Sequence, residues 1–313
     1  MFGLFSKKWN PDGLHCYVTG GSTGLGLSLA KLLVRRGANV SIVARDQAKL
    51  DKALEELEIE KQSPNQRIYA YSFGLDTAQA STEALEAVCR PYDGEVPDAT
   101  FTCAGASRPE FFVQMTEEDL VKGMSNGYWV QAWTAWAVSK KLVKQEKRGK
   151  ITLVSSTLGY MSIVGYASYS PAKHALRGLA DTLHSEMLLY GIGVHIFFPP
   201  TMFTPGYKEE NKTKPKITLK IEESDGGLTS DQAAMALFQG VEKGQAHITG
   251  DLITSLFRAS TRGTAPKNNW IVDGLYDMIA YVATPVWRAS VDKMVASHAA
   301  EHRERLREQQ FFL

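Results

Sequence analysis

A tyrosine and a lysine stand four residues apart, at Tyr169 and Lys173. Residues at positions i and i+4 share one face of a helix, so we expect the phenol and the ammonium to be neighbours. An unperturbed tyrosine has a pKa of about 10, and a nearby cation, together with the positive end of a helix, stabilises the phenolate. The spacing therefore predicts that the pKa of Tyr169 is lowered toward the range of a useful general acid.

Ser156 precedes this pair, at the predicted end of a strand. Its hydroxyl can bind a carbonyl oxygen, whereas Ser155 would point to the opposite side of the strand. These side chains predict the reduction of a ketone, in which a nicotinamide delivers hydride to the carbonyl carbon and Ser156 and Tyr169 hold the developing alkoxide. Tyr169 then supplies the proton, and Lys173 holds the ribose of the cofactor.

A glycine-rich turn lies near the start of the chain, with glycines at Gly20, Gly24 and Gly26. Such glycines allow the backbone to approach a pyrophosphate, which the N-terminus of the following helix then binds. A plain β-turn is the simpler interpretation. Because the glycines stand between a predicted strand and a predicted helix, we favour a dinucleotide site, to which we also assign Ser22 and Thr23.

The residues after the second predicted strand indicate which dinucleotide is bound. NAD-binding folds place an acidic residue about 20 positions beyond the glycines, where it contacts the ribose 2′-hydroxyl. Here Ala44 takes that place, Arg45 follows it, Lys49 comes one turn later, and Asp46 is expected to cap the next helix. Arginine pairs bidentately with phosphate, so this pattern favours NADPH. The alternative is a solvated basic patch at the start of a helix.

Short β-branched runs alternate with longer helical patterns, which is typical of βαβ units and a parallel sheet. The predicted strands are residues 14–19, 39–44, 67–73, 98–103, 150–155 and 193–198. The predicted helices are residues 24–36, 47–61, 82–89, 116–147 and 169–190, the fourth with a capping box of Thr116 and Asp119. We predict an α/β fold with a Rossmann-type, doubly wound parallel sheet that binds ligands at the carboxyl ends of its strands.

The chain is predicted to be a single domain with additions at both ends. Residues 14–260 form the domain, in which a long connection at about 199–229 forms a lid over the substrate. We expect residues 201–207 to close over the nicotinamide, with Met202 and Phe203 lining an apolar entry. A helix resumes at Ser230, the expected N-cap. Residues 1–13 are an N-terminal segment, and residues 261–313 are a C-terminal helical extension.

Composition and charge limit the class of protein. A chain of 313 residues buries a substantial core without metals or disulfides. A net charge of +1 and a pI near 7.7 argue against nucleic acid as the main partner. The three cysteines, Cys16, Cys89 and Cys103, form no metal or redox motif and are expected to be reduced. The seven histidines have no ligand spacing, so no metal is expected.

Over residues 14–200 the chain resembles the short-chain dehydrogenase/reductase family. The resemblance implies that the glycines of the turn bind the dinucleotide and that Ser156, Tyr169 and Lys173 are the catalytic triad. It also implies that Asn126, on the fourth helix, holds a water of the proton relay near the lysine.

Two family motifs depart from their usual form. The turn after the fourth strand usually reads Asn-Asn-Ala-Gly and here ends in Cys103, Ala104 and Gly105, so we expect backbone contacts from Ala104 and Gly105 to the cofactor. The aspartate that contacts adenine is replaced by Gly74, unless the register shifts to Asp76.

Within the family, a narrower likeness lies at residues 20–24 and 199–215. The runs Gly-Gly-Ser-Thr-Gly, Pro-Pro-Thr-Met-Phe-Thr-Pro-Gly and Glu-Glu-Asn-Lys-Thr-Lys-Pro together resemble those of 3-ketodihydrosphingosine reductases. This resemblance implies NADPH-dependent reduction of 3-ketosphinganine to sphinganine at the cytosolic face of the endoplasmic reticulum membrane. It places Pro199 and Thr201 in the cofactor site. The residues at 201–203 depart from the more usual Asp-Thr-Asp.

Two segments suit contact with a membrane surface. An apolar stripe recurs at helical spacing at Trp270, Ile271, Leu275, Met278, Ile279 and Val282, with Asp273 and Asp277 on another face. Such a stripe suits a membrane surface, or packs against the body or a second subunit. At the N-terminus Phe2, Leu4 and Phe5 precede Lys7, Lys8 and Trp9, which suits an interfacial contact or a frayed end.

The expected partners are therefore a long-chain sphingoid ketone, a membrane surface and further copies of the chain, as a dimer or tetramer. Trp129, Trp133 and Trp136 lie on the fourth helix, which commonly forms the dimer contact in the resembled family. Two other functions stay open: a reductase of steroid, retinoid or other lipid ketones, and a non-catalytic dinucleotide-binding scaffold. The residues expected at every catalytic position are present, which argues against a non-catalytic scaffold.

Overall fold

The computed structural model of the chain describes residues 8–223 and 226–311. In this part the strands are β1 (His15–Thr19), β2 (Asn39–Ala44), β3 (Ile68–Ser72), β4 (Ala99–Thr102), β5 (Lys150–Val154), β6 (Gly193–Phe198), β7 (Met202–Phe203), β8 (Leu228–Thr229) and β9 (His247–Thr249). The helices are α1 (Gly24–Arg35), α2 (Gln47–Ile59), α3 (Ala78–Cys89), α4 (Glu117–Met124), α5 (Val130–Lys144), α6 (Ser170–Glu186), α7 (Pro205–Glu210), α8 (Lys216–Glu222), α9 (Ser230–Glu242), α10 (Leu252–Thr261), α11 (Trp270–Ser297) and α12 (Ala299–Glu308).

Seven strands form one parallel sheet in the order β3-β2-β1-β4-β5-β6-β9. Every residue of β1 is buried, because Cys16 and Val18 pack with α1 and α9 on one face while Tyr17 packs with α3, α5 and α6 on the other. β1 pairs with both β2 and β4. The strands β2 and β3 therefore lie on one side of β1 and the later strands of the sheet on the other side. At such a reversal of the strand order, a crevice opens at the carboxyl ends of the strands. The predicted Rossmann-type, single-domain fold is confirmed.

The predicted fourth helix, residues 116–147, is not continuous. The capping box of Thr116 and Asp119 begins α4 as expected, but residues Ser125–Trp129 form a π-helical turn before α5. Gly127 lies in this turn, where a Cβ would approach the Ala172 side chain of α6 to 2.6 Å. The absence of a side chain at this position lets α6 pack closely against the turn. No proline marks the break, so the sequence pattern alone did not reveal it.

The predicted lid, residues 199–229, contains ordered elements where it is described. It holds α7, α8 and a parallel pairing of β7 with β8. The following helix begins at Ser230, but the N-cap is Thr229, whose side chain accepts a hydrogen bond from Gln232 N. The sheet also contains β9, which the sequence analysis did not predict. This strand has three residues and is too short for an alternation of apolar and polar residues to be recognised in the sequence.

The C-terminal helix α11 runs for 28 residues beside α10. A buried ion pair between Arg258 of α10 and Asp273 of α11 joins the two helices, with Arg258 Nη1 donating to Asp273 Oδ2 at 3.1 Å.

The residues of the apolar stripe on α11 are exposed, so the interpretation that this stripe packs against the body is wrong. No helix in the described part of the chain combines the length and the apolar character needed to cross a bilayer.

The expected N-terminal membrane contact falls mostly outside the described residues, which begin at Lys8. Of its members, Trp9 packs inward, with its ring 6.2 Å from that of Phe101 and 5.8 Å from that of Phe238. Trp9 is therefore half-buried against the core and does not form an interfacial contact.

Candidate active site

A cavity of about 1270 Å³ opens at the carboxyl ends of the strands. This volume exceeds the roughly 300–1,000 Å³ of ordinary small-molecule pockets, so it has room for two ligands side by side. All of the predicted site residues line it: Gly20, Ser22, Thr23, Gly24, Gly26, Arg45, Lys49, Ala104, Gly105, Asn126, Ser156, Tyr169, Lys173, Pro199 and Thr201. The structure thus brings the predicted cofactor residues and the predicted catalytic residues together in one place.

The turn between β1 and α1 has the geometry that a phosphate requires. Gly20 has a φ of +65°, and a Cβ there would lie 2.8 Å from the Ala104 amide. A Cβ on Gly26 would collide with the Gly20 carbonyl oxygen. Thr23, the N-cap of α1, makes no side-chain capping bond, and the first turn of α1 has no acidic residue. The backbone amides at this helix end therefore suit an anion, and these residues fit a dinucleotide.

Two cations stand at the outer rim of this part of the cavity. Arg45 is exposed, and its guanidinium has no hydrogen bond or ion pair with the residues that the structure describes. Lys49 Nζ instead lies 3.2 Å from Asp46 Oδ2. Asp46 caps α2 as predicted, because its Oδ1 accepts from Lys49 N at 3.1 Å. Arg45 is therefore the free cation of the pair, while the charge of Lys49 is shared with Asp46.

Asp76 places a carboxylate beside Gly74, where the resembled family has its aspartate. Asp76 lines the cavity, and its Oδ1 lies 2.9 Å from the place that a Cβ of Gly74 would take. The loop after β3 thus carries the carboxylate two residues later than the family pattern, and the side chain reaches back beside Gly74.

Tyr169 and Lys173 point into the same cavity from the start of α6. The Lys173 Nζ lies 5.3 Å from the centre of the Tyr169 ring. It donates to the Val154 carbonyl at 3.0 Å and to the Gly127 carbonyl at 3.5 Å. Burial lowers the pKa of Lys173 to about 7. The lysine therefore changes its charge close to neutral pH.

The pKa of Tyr169 moves in the direction opposite to our expectation. Burial raises the pKa of this phenol above its ordinary value, and the charge of Glu210 raises it further, while a hydrogen bond with Ser156 acts the other way. Burial prevails because it disfavours the phenolate and at the same time weakens the charge of Lys173. Tyr169 is consequently protonated at neutral pH, as a proton donor must be.

The two serines after β5 have different surroundings. Ser155 Oγ donates to the Lys173 carbonyl oxygen at 2.9 Å and so ties β5 to α6. Ser156 lines the cavity, and its Oγ accepts a hydrogen bond from Leu158 N at 3.2 Å. The hydroxyl proton of Ser156 is therefore directed into the cavity, toward the Tyr169 oxygen. Ser156 is thus the member of the pair that can bind a carbonyl oxygen, as the strand alternation predicts.

Asn126 lies in the π-helical turn, beside the groups that hold Lys173. A Cβ on Gly105 would lie 3.2 Å from the Asn126 carbonyl oxygen and 3.9 Å from Lys173 Nζ. The turn directs the Gly127 carbonyl at the same ammonium. Such π-turns often occur at functional sites, where they change the direction of backbone groups.

Gln131 is a site residue that sequence reasoning missed. It is buried and lines the cavity. Its Nε2 donates to the Val154 carbonyl at 2.8 Å, and its Oε1 accepts from Val154 N and from Thr102 Oγ1. Gln131 therefore fixes the carbonyl that Lys173 binds. A glutamine within an apolar helix face was the only signal, and it does not distinguish this role from a core hydrogen bond.

The remaining part of the cavity is largely apolar and comes from the C-terminal helices. Its lining includes Leu256, Phe257, Ala280, Ala283 and Trp287. Met202 of the lid lines it too, but Phe203 does not and is 57% exposed, so the expectation for Phe203 was wrong. Tyr166, Glu210 and Glu222 add a polar corner that the sequence analysis did not identify.

Comparisons with known proteins agree with this geometry. A family model described as short chain dehydrogenase matches residues 15–215. The 3-ketodihydrosphingosine reductase TSC10 of Cryptococcus neoformans var. neoformans serotype D (strain JEC21) is 44% identical over 313 residues, which are 100% of this chain and 93% of that protein. The 3-dehydrosphinganine reductase of Danio rerio is 33% identical over 274 residues, covering 87% of this chain and 81% of that protein.

Solved structures share the fold. The apo form of LigD from Sphingobium sp. strain SYK-6 superposes with a TM-score of 0.66 at 20% identity, covering 82% of this chain and 99% of that chain. A short-chain type dehydrogenase/reductase from Mycobacterium ulcerans has a TM-score of 0.67 at 19% identity, covering 77% and 89%. At such low identities these likenesses establish the architecture alone.

Proposed function

The chain belongs to the short-chain dehydrogenase/reductase family of oxidoreductases, and we propose that it reduces 3-ketosphinganine to sphinganine with NADPH. One observation carries the proposal: a single cavity is lined both by Ser156, Tyr169 and Lys173 and by apolar residues of α10 and α11. Relatives named 3-ketodihydrosphingosine reductase over the whole length of the chain support this substrate. A sphingoid ketone combines a reactive carbonyl with a long hydrocarbon chain, which this cavity suits.

When bound, the nicotinamide dinucleotide supplies the hydride that adds to the carbonyl carbon. Ser156 donates a hydrogen bond to the carbonyl oxygen and holds it beside the Tyr169 hydroxyl. Tyr169 gives its proton to that oxygen as negative charge develops on it, so the carbonyl becomes a hydroxyl. Lys173, when protonated, stabilises the resulting phenolate electrostatically and can also bind the cofactor ribose. The Val154 carbonyl and Gln131 keep the lysine in place.

The cofactor proposed for this site is NADPH because of the charges at its rim. The Arg45 guanidinium is unpaired among the described residues and lines the cavity, and it suits a 2′-phosphate. Ala44, at the end of β2, provides no carboxylate that would bind a free 2′-hydroxyl. The glycine turn and the uncapped start of α1 suit the pyrophosphate.

The proposed function is tested by following cofactor oxidation in detergent micelles with 3-ketosphinganine, a steroid ketone and a retinoid ketone. We expect 3-ketosphinganine to be reduced with the highest kcat/KM, and sphinganine to appear in equal amount to the cofactor consumed. Reduction of another lipid ketone but not of 3-ketosphinganine would refute the substrate. No reduction of any ketone would favour the non-catalytic scaffold.

We also propose that the enzyme takes its substrate from the cytosolic face of the endoplasmic reticulum membrane. The exposed apolar side chains of α11 form one surface: Trp270, Ile271, Leu275, Met278, Ile279, Tyr281, Val282 and Val286. The neighbouring Ile253 of α10 is 55% exposed and also lines the cavity. Exposed apolar residues and cavity-lining apolar residues thus belong to the same two helices, which suits entry of a hydrocarbon chain from a bilayer.

A second copy of the chain is proposed to bind at α5 and the end of the π-helical turn before it. Trp129 stacks on Trp133 at 4.6 Å between ring centres, and both Trp129 and Trp136 are exposed. Exposed aromatic residues are enriched at protein interfaces. Sedimentation tests the proposal: we expect the protein to be a dimer or tetramer, and Trp136→Glu to dissociate it. A monomeric wild type would contradict it.

A further inference from the structure

Three charged side chains meet Tyr166 at one corner of the substrate cavity. The Tyr166 hydroxyl donates to Glu210 Oε1 at 2.6 Å and to Glu222 Oε1 at 2.8 Å, as alternative acceptors. Lys214 Nζ lies 3.0 Å from Glu210 Oε1 and 2.7 Å from Glu222 Oε2. Glu210 is the last residue of α7 and Glu222 the last residue of α8. The cluster therefore joins the two lid helices to the segment that precedes α6.

The cluster carries an excess of negative charge. Two carboxylates share one ammonium, and no second cation pairs with Glu210 or Glu222 in the part of the chain that the structure describes. The Lys214 side chain is fully buried, and Glu222 is only 9% exposed. Burial opposes the charge of Lys214, but the hydrogen bonds and charges of Glu222 and Glu210 raise its pKa above the ordinary value. Lys214 is thus a cation, and the two carboxylates that it contacts outnumber it by one.

The excess negative charge of the cluster lies close to the catalytic residues. Tyr166, Glu210 and Glu222 line the same cavity as Ser156 and Tyr169, and the rings of Tyr166 and Tyr169 lie 5.9 Å apart. The charge of Glu210 reaches Tyr169, since it contributes to the raised pKa of that phenol. A group that binds the carboxylates must therefore lie close to the carbonyl that Tyr169 protonates.

We propose that Glu210 and Glu222 bind an ammonium group on the carbon next to the reacting carbonyl and so select α-amino ketones over neutral ketones. This inference rests on the proposed function, because 3-ketosphinganine has its ammonium on the carbon bonded to the carbonyl carbon. The ammonium supplies the positive charge that the cluster lacks, and a charge-assisted hydrogen bond fixes the head of the substrate. A neutral lipid ketone leaves the excess negative charge of the cluster unbalanced in the cavity, which disfavours its binding.

The Tyr166–Glu210–Glu222–Lys214 cluster also has a purely structural interpretation, in which it only holds α7 and α8 in place. The two roles differ in their effect on specificity. A structural cluster affects the reduction of all ketones alike, whereas an ammonium site affects only substrates with the amine.

The test compares 3-ketosphinganine with 1-hydroxyoctadecan-3-one, which has the same chain length but no amine. For the wild type we expect kcat/KM to be roughly 10- to 100-fold higher for the amine substrate, the range of one hydrogen bond to a charged group. We expect Glu210→Gln and Glu222→Gln to remove most of this preference, so that the ratio of kcat/KM for the two ketones falls toward one. Glu223→Gln is the matched control, because Glu223 is exposed and is not among the cavity-lining residues.

Each outcome decides between the interpretations. If the wild type reduces both ketones equally well, the ammonium site is wrong although the reductase function stands. If the glutamine variants lower kcat/KM equally for both substrates, the cluster is structural and the proposal is overturned. If the wild type reduces neither ketone, the proposed function fails and the ammonium site with it. The wild-type comparison needs no variant, so it decides even if a variant does not fold.

Discussion

The Lys173 ammonium lies 5.3 Å from the centre of the Tyr169 ring, one turn further along the same helix. Both side chains are buried in the cavity that also contains Ser156. Burial raises the pKa of Tyr169 and lowers the pKa of Lys173 to about 7. The tyrosine therefore keeps its proton at neutral pH, and the charge of the lysine depends on pH within the physiological range.

Loss of the charge of Lys173 is expected to lower kcat/KM for the reduction at alkaline pH. The lysine is a cation below a pH of about 7 and loses its charge as the pH rises through that value. Since the cation favours proton loss from Tyr169, we predict that kcat/KM for reduction falls above about pH 7. The profile is measured from about pH 6 to about pH 9, and Lys173→Arg, which stays charged, should show no such decrease. A wild-type profile that is flat over this range would contradict the assigned role.

Arg45 is expected to determine the preference for NADPH. Its guanidinium is free at the rim, whereas Lys49 is already paired with Asp46. We predict that Arg45→Ala raises KM for NADPH by roughly 10- to 100-fold, the effect of losing a charged hydrogen bond, and leaves KM for NADH nearly unchanged. Lys49→Ala serves as the comparison and should have the smaller effect. Equal wild-type rates with both nucleotides would refute the assignment.

The fold was predictable to a large extent because its signals are local. Strands that are buried on both faces, such as β1, are continuous apolar runs, and the glycine turn follows one of them directly. The positions of Ser156, Tyr169 and Lys173 follow from strand alternation and helical spacing. β9 was missed because its three residues show no periodicity. The π-helical turn at Asn126 was missed because the close approach of Gly127 to Ala172 is a tertiary contact that has no local sequence signal.

The electrostatics of the site were less predictable. The spacing of Tyr169 and Lys173 indicates that they are neighbours, but it does not say how deeply they are buried, and burial decides the direction of both pKa shifts. Likewise the sequence places Glu210, Lys214 and Glu222 in the predicted lid but does not indicate that their charges meet. Only the folding of α7 and α8 against Tyr166 brings these charges together.

The apolar surface of α11 is expected to bind lipid. Val282 and Leu275 are exposed on this surface and do not line the cavity. We predict that Val282→Glu abolishes flotation with phosphatidylcholine vesicles, because it adds a charge to the apolar face, while reduction of a micellar substrate is retained. Asp292→Ala, a change on the exposed polar part of the same helix, is the control. Unchanged flotation of Val282→Glu, together with a change in its sedimentation, would identify the surface as a contact between copies instead.

The ion pair between Arg258 and Asp273 is expected to hold α11 in place. Both side chains are buried, so removing one partner leaves an uncompensated charge. We predict that Arg258→Leu lowers the free energy of unfolding by about 3–5 kcal/mol. The double variant Arg258→Leu/Asp273→Leu should lose less, since it leaves no charge unpaired. Urea unfolding measures both, and a double variant as unstable as the sum of the single variants would contradict this explanation.

The central claim, that Tyr169 is the proton source for ketone reduction, is tested most directly by single-turnover reduction of 3-ketosphinganine by Tyr169→Phe with bound NADPH. The substitution removes only the hydroxyl. We predict that the rate falls by about 10²- to 10⁴-fold while NADPH affinity, measured by fluorescence titration, changes little. A variant that keeps more than roughly a tenth of the wild-type rate would contradict the claim, because the proton would then come from another group.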